Sequence, residues 1–396
     1  MSPKGRPEVE CRSAQHEGSE VGQQRQQCVE TSLVGSDRKA WPTFTLCEDD
    51  LAECIELAGE GFEALANQRA AVEQWFECRL RRNPWQTALP GFGVGIREPG
   101  GRLMGFRAMF AQPWWLDGRS TIVAFAAHTV VSSKARGRGL GGQLIDASRA
   151  FAAITGSTSA GDVTQRVYQH QGFAAIGGQD NGFFRFRCGY AGSMASRLGP
   201  WLGRMVGAVL DLRLATSLRG LTSVRDLQLT DVDRCGTEFD ALWQQVRQHE
   251  MSCLERSSRY LNHRLFEAPT VALRLSALRE RSLRLRAAAV WTTLSYSRYV
   301  RAAVLRDVIC PVDDGPALRT LIGHLARRWR AEGLTWVNIE SAAPALIDLW
   351  TELGYERLPS HGNRYWVHAD PPLSAHQLER WHRSGLDGDY FDVALP

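Results

Sequence analysis

Four glycines, Gly137, Gly139, Gly141 and Gly142, crowd into six residues between an apolar run ending at Val131 and a helical pattern beginning near Leu140. A strand enters this loop and a helix leaves it. Glycine reaches left-handed dihedrals without steric cost, so several backbone N–H groups in such a loop can turn inward together. The helix start adds the positive end of its dipole. The result is an anion site suited to a pyrophosphate, and Arg136 and Arg138 stand where they add charge-assisted contacts to phosphate. A ligand-free glycine turn is the bland alternative, but four glycines carry an entropy cost that it leaves unexplained.

Three nucleotide motifs compete for the loop. A P-loop ends in Gly-Lys-Ser/Thr, and Gly142-Gln143-Leu144 does not. A dinucleotide G-x-G-x-x-G is present as Gly137, Gly139 and Gly142, with Asp162 downstream. That fingerprint directly follows the first strand of a parallel sheet. Here the runs Gly91 to Arg97, Met104 to Gln112 and Thr121 to Val131 are separated by Pro99-Gly100-Gly101 and Asp117-Gly118, which reads as an antiparallel meander.

The third motif fits. Arg136-Gly-Arg-Gly139-Leu-Gly141 resembles the Q/R-x-x-G-x-G/A signature of the GNAT superfamily of acetyltransferases, and Val167-Tyr168-Gln-His-Gln-Gly172-Phe173 resembles the motif that closes that fold. The resemblance covers about residues 42 to 187. It implies acetyl-CoA as cosubstrate, with no metal. It implies that Val130, Val131, Arg136, Gly137, Arg138, Gly139, Leu140, Gly141 and Gly142 hold the cofactor, the backbone after Val130 and Val131 receiving pantetheine. It also implies that Tyr168 protonates the departing thiolate; a core tyrosine on the helix is the alternative. Two departures stand out. Gly161 occupies the place where family members often carry a cofactor-binding Asn, with Ser159 or Thr164 as substitutes. No base stands on the face of Val131, where alternation puts Phe125, Ala127 and Thr129. His128 is the one titratable group nearby and is kept as a catalytic candidate. Its parity is wrong unless a bulge re-aims it, so a structural histidine is the favoured reading.

The length of 396 residues is comfortable for two domains. Residues 1–39 lack the apolar side chains needed to offset ordering entropy and are expected to be a disordered extension. Residues 40–189 form the acetyltransferase unit, in which Phe44 to Cys47 is a strand. Helices follow over about Leu51 to Gly59 and Arg69 to Arg81, the second stopping at Asn83-Pro84. A further helix runs from Gly139 to about Ile154, another from Thr164 to Gln171, and the strand Phe183 to Arg187 closes the unit. Residues 190–222 alternate apolar residues with arginines. An amphipathic linker packed between domains is expected there, because Gly and Pro interrupt the pattern; a membrane-surface helix is the sharper alternative.

Residues 223–370 echo the element order of the first unit, ending in a strand near Arg364 to His368, with residues 371–396 as a tail. The fold class is therefore α/β: two units, each a mostly antiparallel mixed sheet flanked by helices. In the second unit Leu349-Trp350-Thr-Glu-Leu-Gly354-Tyr355 resembles the closing motif with Trp in place of Tyr. Its loop, Cys310 to Pro316, has one glycine and Asp313-Asp314, which would repel pyrophosphate. The second unit is read as a degenerate copy.

The net charge of +4 gives no support to a nucleic-acid binder. Nine scattered cysteines form no C-x-x-C pair, so neither a zinc ribbon nor a disulfide scaffold is expected. No run is long and apolar enough for a transmembrane segment, and the N-terminus lacks a secretory core. A cytoplasmic protein is expected, with a homo-oligomer left open. The expected function is N-acetyl transfer from acetyl-CoA to a small-molecule primary amine, an amino sugar being the leading acceptor. A CoA-binding sensor or scaffold without turnover is the alternative. Trp75, Trp114 and Trp115 are candidates to stack on an acceptor, with core packing the equal alternative.

Overall fold

The structure, a computed structural model, describes residues 41–61, 68–158, 160–176, 182–219, 226–247, 252–341, 350–352, 355–358, 365–382 and 384–388. The expected disordered extension lies outside the described residues, as do Ser159 and, in the second closing motif, Leu349, Leu353 and Gly354.

The first half supplies β1 (Thr43–Leu46), α1 (Leu51–Gly61), α2 (Arg69–Phe76), β2 (Gly93–Arg97), β3 (Leu103–Leu116) and β4 (Arg119–Val131). After these come α3 (Leu140–Ser148), β5 (Ile154–Ser157), α4 (Asp162–His170), β6 (Ala174–Ile176) and β7 (Gly182–Arg187). α2 widens into a π turn over Glu77–Arg81 and stops where Asn83 intervenes, its amide donating to the carbonyls of Arg79 at 3.0 Å and Ala111 at 2.9 Å. The β3–β4 hairpin turns on Asp117 and Gly118, both with positive φ (48° and 74°), the geometry whose twist matches the flanking strands. Along it, Phe106, Ala108, Phe110 and Phe125 pack with Trp75 and Phe76 on one face. Met109, Ala111, Ala124 and Ala126 pack with Leu140 and Leu144 of α3 on the other.

A helical hairpin, α5 (Ala191–Leu198) and α6 (Pro200–Arg219), joins the halves. The second half continues with β8 (Leu227–Val232), α7 (Thr237–Val246), β9 (Cys253–Leu254), α8 (Ser258–Asn262), β10 (Arg274–Glu280), β11 (Leu285–Ser295) and β12 (Arg301–Ile309). It ends with α9 (Gly315–Ala331), β13 (Trp336–Ser341), β14 (Glu356–Leu358), β15 (Tyr365–Ala369) and α10 (Ala375–Glu379).

Two mixed sheets result, with the strand orders β1-β2-β3-β4-β5-β15-β6 and β14-β7-β13-β12-β11-β10-β8. Each has four antiparallel strands, one parallel step (β4 to β5, β12 to β13), and then a strand donated by the other half of the chain. β15 lies between β5 and β6, and β7 lies between β13 and β14. The expectation that Phe183 to Arg187 closes the first unit is therefore corrected, and so is the placement of the last strand in the second. Phe184 and Phe186 belong to the core of the second sheet with Leu305, Val337 and Trp350. Trp366 packs in the first half against Tyr168. Unit boundaries contiguous in sequence do not describe these sheets.

One more expectation changes. The helix expected to reach Ile154 ends at Ser148, followed by a 3-10 turn, because Ile154–Ser157 pairs in parallel with β4. The interruption expected in the 190–222 segment falls at Gly199-Pro200, which divides α5 from α6, while Gly203 and Gly207 lie within α6 without breaking it. Gly199 turns with φ +86 between α5 and α6, and Cβ atoms at Gly203 or Gly207 would collide with the backbone of α5 at Met194 and Ala191. The glycines bring the two helices together and leave the opposite face of α6 outward.

Candidate active site

β4 is paired along its whole length with β3, reaching Val131 opposite Gly105, but with β5 only over Ala124–Ala126. From Ala127 onward the two parallel strands part, and one backbone edge of β4 faces a cleft of about 490 Å³. Eight of the expected cofactor residues line it: Val130, Val131, Arg136, Gly137, Gly139, Leu140, Gly141 and Gly142. Gly137 and Gly139 have φ near +80°, which an L side chain adopts only with strain. Gly139 caps α3, and the first intrahelical bond starts at the N–H of Gln143 (3.2 Å to the carbonyl of Gly139). The N–H groups of Leu140, Gly141 and Gly142 are thus the unsatisfied donors of a helix start. A Cβ built on Gly141 meets nothing within 4 Å, so this first turn opens onto free space.

Arg138 is placed elsewhere: its guanidinium stacks 5.3 Å from the ring centroid of Trp41 and does not line the cleft. Arg136 does line it. Thr164, expected as a substitute for the missing Asn, also lines it, from α4.

Tyr168, also on α4, is 1% exposed and packs between Phe173 and Trp366. Its hydroxyl oxygen accepts a 2.7 Å hydrogen bond from Nη2 of Arg107, whose Nη1 donates to Oγ1 of Thr129 at 2.6 Å. Thr129 lines the cleft, so Arg107 ties the tyrosine to its wall. Arg107 is itself 1% exposed, its Nε has no partner, and no carboxylate among the described residues pairs with it. An unpaired buried guanidinium is costly. Sequence reasoning missed Arg107, although a signal existed: it is the one charge inside the apolar run Leu103–Ala111.

His128 sits on a β-bulge. The β3–β4 register jumps between Phe106 and Ala108, and His128 has φ +45. The extra residue reverses alternation, so Phe125 and Ala127 face the α2 side and are not on the face of Val131, as strict alternation would have them. The His128 ring packs edge-on to Trp75 (centroids 4.5 Å apart) and stacks on Phe76 at 6.1 Å. It packs against α2 and does not line the cleft. Trp75 and Trp114 are fully buried core residues and are not available to stack on an acceptor. Trp115 is half-buried under the guanidinium of Arg247.

The equivalent loop of the second half is closed by its own side chain. Asp314 accepts from the N–H of Ala317 at 3.2 Å, capping α9, and its other oxygen is held by Arg286 at 2.6 Å. A protein carboxylate thus occupies the helix start where the first half leaves free donors. Trp350, at the place corresponding to Tyr168, is fully buried and carries no hydroxyl. Among the described residues no group of His, Cys, Asp or Glu is arranged to hold a metal, and no helix is long and apolar enough to cross a membrane.

No protein-family profile matches the chain, and no curated protein matches it in sequence. Solved structures do match. A GCN5-related N-acetyltransferase from Anabaena variabilis aligns at TM-score 0.55 and 15% identity, over 83% of this chain and 72% of that one. A second, from Kribbella flavida, aligns at 0.50 and 16%, over 82% and 70%. Saccharomyces cerevisiae N-myristoyltransferase with bound myristoyl-CoA aligns at 0.50 and 11%, over 85% of each chain. At these identities the likeness concerns architecture, and the architecture is that of the GCN5-related N-acetyltransferases.

Proposed function

We propose that the protein is an acyl-CoA-dependent N-acyltransferase that moves an acetyl group to a primary amine, with catalysis confined to its first half. The observation that carries this reading is the cleft between β4 and β5, which joins a free strand edge to a glycine loop and the unsatisfied donors of α3. These fit the two parts of CoA: a pantetheine amide chain for the edge and a pyrophosphate for the loop, with Arg136 beside it. A solved N-myristoyltransferase of this architecture holds myristoyl-CoA, which supports an acyl-CoA cosubstrate.

In the reaction the neutral amine attacks the thioester carbonyl, a C–N bond forms and the C–S bond breaks. The Tyr168 hydroxyl gives its proton to the departing sulfur. Arg107 occupies the phenol oxygen as a donor, so the hydroxyl hydrogen is left to point elsewhere. The same guanidinium stabilises negative charge that grows on the oxygen as the proton leaves. The amine's proton goes to solvent, and His128, packed against Trp75 and Phe76, is read as a packing residue. A small amine such as an amino sugar is the acceptor class we favour.

A second reading is CoA binding without turnover. It is favoured by the lining of the cleft, which contains no His, Asp or Glu among the described residues. Mass spectrometry of the full chain with acetyl-CoA across a panel of amines, amino sugars included, decides between them. A mass gain of one acetyl group on any amine, lost in Tyr168→Phe, supports the enzyme; CoA binding with no acetylated product supports the sensor.

A further inference from the structure

Of the ten large apolar side chains that are exposed among the described residues, six fall in one stretch of the helical hairpin: Leu198, Trp201, Leu202, Met205, Val209 and Leu212. Trp201 is 74% exposed and Leu212 69%. At 3.6 residues per turn, Trp201, Met205 and Leu212 stack along one line of α6, opposite the Gly203–Gly207 face that meets α5. Val209 and Leu202 widen that line on one side. Arg204 and Arg213, both exposed, flank it at about 90° to either side. From Trp201 to Leu212 the stripe covers about 16 Å of a 20-residue helix, at 1.5 Å per residue. Scattered apolar residues on a surface are ordinary, but a continuous apolar row this long marks an interaction face.

Charge selects the partner. Residues 191–219 contain Arg197, Arg204, Arg213 and Arg219 and a single acid, Asp211. That carboxylate is turned inward, accepting the N–H of Tyr190 at 2.7 Å. The outward face is therefore apolar at its centre and basic at its margins, and no acid of residues 191–219 is turned outward on it. A two-fold pairing with a second copy would set the arginine margins against each other, like charge to like. An interfacial helix has this same cross-section, with apolar residues and a Trp in the acyl boundary and arginines level with headgroups.

We propose that the outward face of α6 docks the protein on an anionic lipid surface, the helix lying flat with Trp201, Met205 and Leu212 inserted and Arg204 and Arg213 at the phosphates. This is independent of the proposed acyl transfer, since no residue of the face lines the cleft.

The test is flotation of the full chain with phosphatidylcholine vesicles containing about one-third phosphatidylglycerol, beside pure phosphatidylcholine vesicles. The wild type is expected to float with the anionic vesicles and remain in the dense fraction with the neutral ones. Raising salt from about 0.1 M to about 1 M, which shortens the screening length from about 10 Å to about 3 Å, is expected to release much of it. The variant Trp201→Ser/Met205→Ser/Leu212→Ser is expected to lose partitioning about tenfold or more while keeping its thermal midpoint, because these side chains are exposed. Arg204→Glu should also weaken binding without touching the apolar row. A wild type that ignores anionic vesicles at low salt overturns the proposal. So does a serine variant that floats as well as wild type. A wild type that self-associates through this face, becomes smaller in the serine variant and never binds vesicles overturns it in favour of a second copy.

Discussion

The Arg107 guanidinium donates to the Tyr168 hydroxyl oxygen at 2.7 Å and to the Thr129 hydroxyl at 2.6 Å, and among the described residues it has no carboxylate to balance it. Replacing a buried, unbalanced ion by an apolar side chain of similar length is often neutral or stabilising. Arg107→Met is therefore expected to keep or raise the thermal midpoint while turnover falls. Arg107→Lys should restore part of kcat. A purely structural arginine would show the reverse, a lower midpoint with turnover per folded molecule intact.

Tyr168→Phe keeps the ring against Phe173 and Trp366 and removes only the hydroxyl. Acetyl-CoA affinity by calorimetry should be nearly unchanged. With chemistry rate-limiting, kcat should fall at least about tenfold, since general acid assistance is typically worth about 10²–10⁴-fold. The double variant with Arg107→Met should lose little more than Tyr168→Phe alone, because both act through one hydroxyl. His128→Ala should cost less turnover than Tyr168→Phe.

Gly141→Glu is expected to abolish CoA binding in a folded protein. The new side chain starts in open cleft, so the core is untouched, and its carboxylate opposes the pyrophosphate at the helix start. Intact affinity by calorimetry in the folded variant would place the phosphates elsewhere. Gly139→Glu should also lose binding, with added strain from its φ of +82°.

Calorimetry of the intact chain should give one acetyl-CoA per molecule, because Asp314 already fills the second helix start. Asp314→Ala should leave that stoichiometry and affinity alone while lowering stability by about 1–2 kcal/mol through the lost cap. A second equivalent of CoA bound by the wild type would contradict this.

His263 supplies a pH signature. It is buried beside Trp85, and burial together with the nearby charges of Arg79, Arg82 and Arg259 lowers its pKa to about 4. A depressed histidine contributes stability that is fully present above the unfolded value, about 6.5, and is lost as pH falls toward the folded one. Between pH ~6.5 and ~4 the wild type should therefore lose up to about 3 kcal/mol from this group. In denaturant titrations His263→Gln should flatten that part of the profile; an equally steep acid limb in the variant would exclude His263 as its source.

The glycine loop that lines the cleft is legible in the sequence because it carries its own physics: the φ near +80° at Gly137 and Gly139 is a conformation that glycine adopts without strain. What was not legible has physical causes. The bulge at His128 inserts one residue into β4, and no property of His128 announces it, so alternation misassigned Phe125 and Ala127. β5 has only four residues, Ile154–Ser157, directly after a helix, and was absorbed into it. Arg107 reads as an ordinary strand arginine until Tyr168, sixty-one positions away, is brought to it. The exchange of β7 and β15 was hidden because alternation in Phe184 and Phe186 specifies a buried face but never which sheet buries it.

That exchange governs how the molecule can be made. Until β15 has been synthesised, the first sheet has a gap between β5 and β6, although it carries the loop and Tyr168. The ring of Tyr168 then lacks Trp366 at its flank. A nascent first half on the ribosome therefore exposes two unpaired strand edges while the whole second half is translated, at about 5–20 residues per second. Neither half is expected to fold as an autonomous piece, and a premature stop before Tyr365 would leave the cleft residues all present on an incomplete sheet.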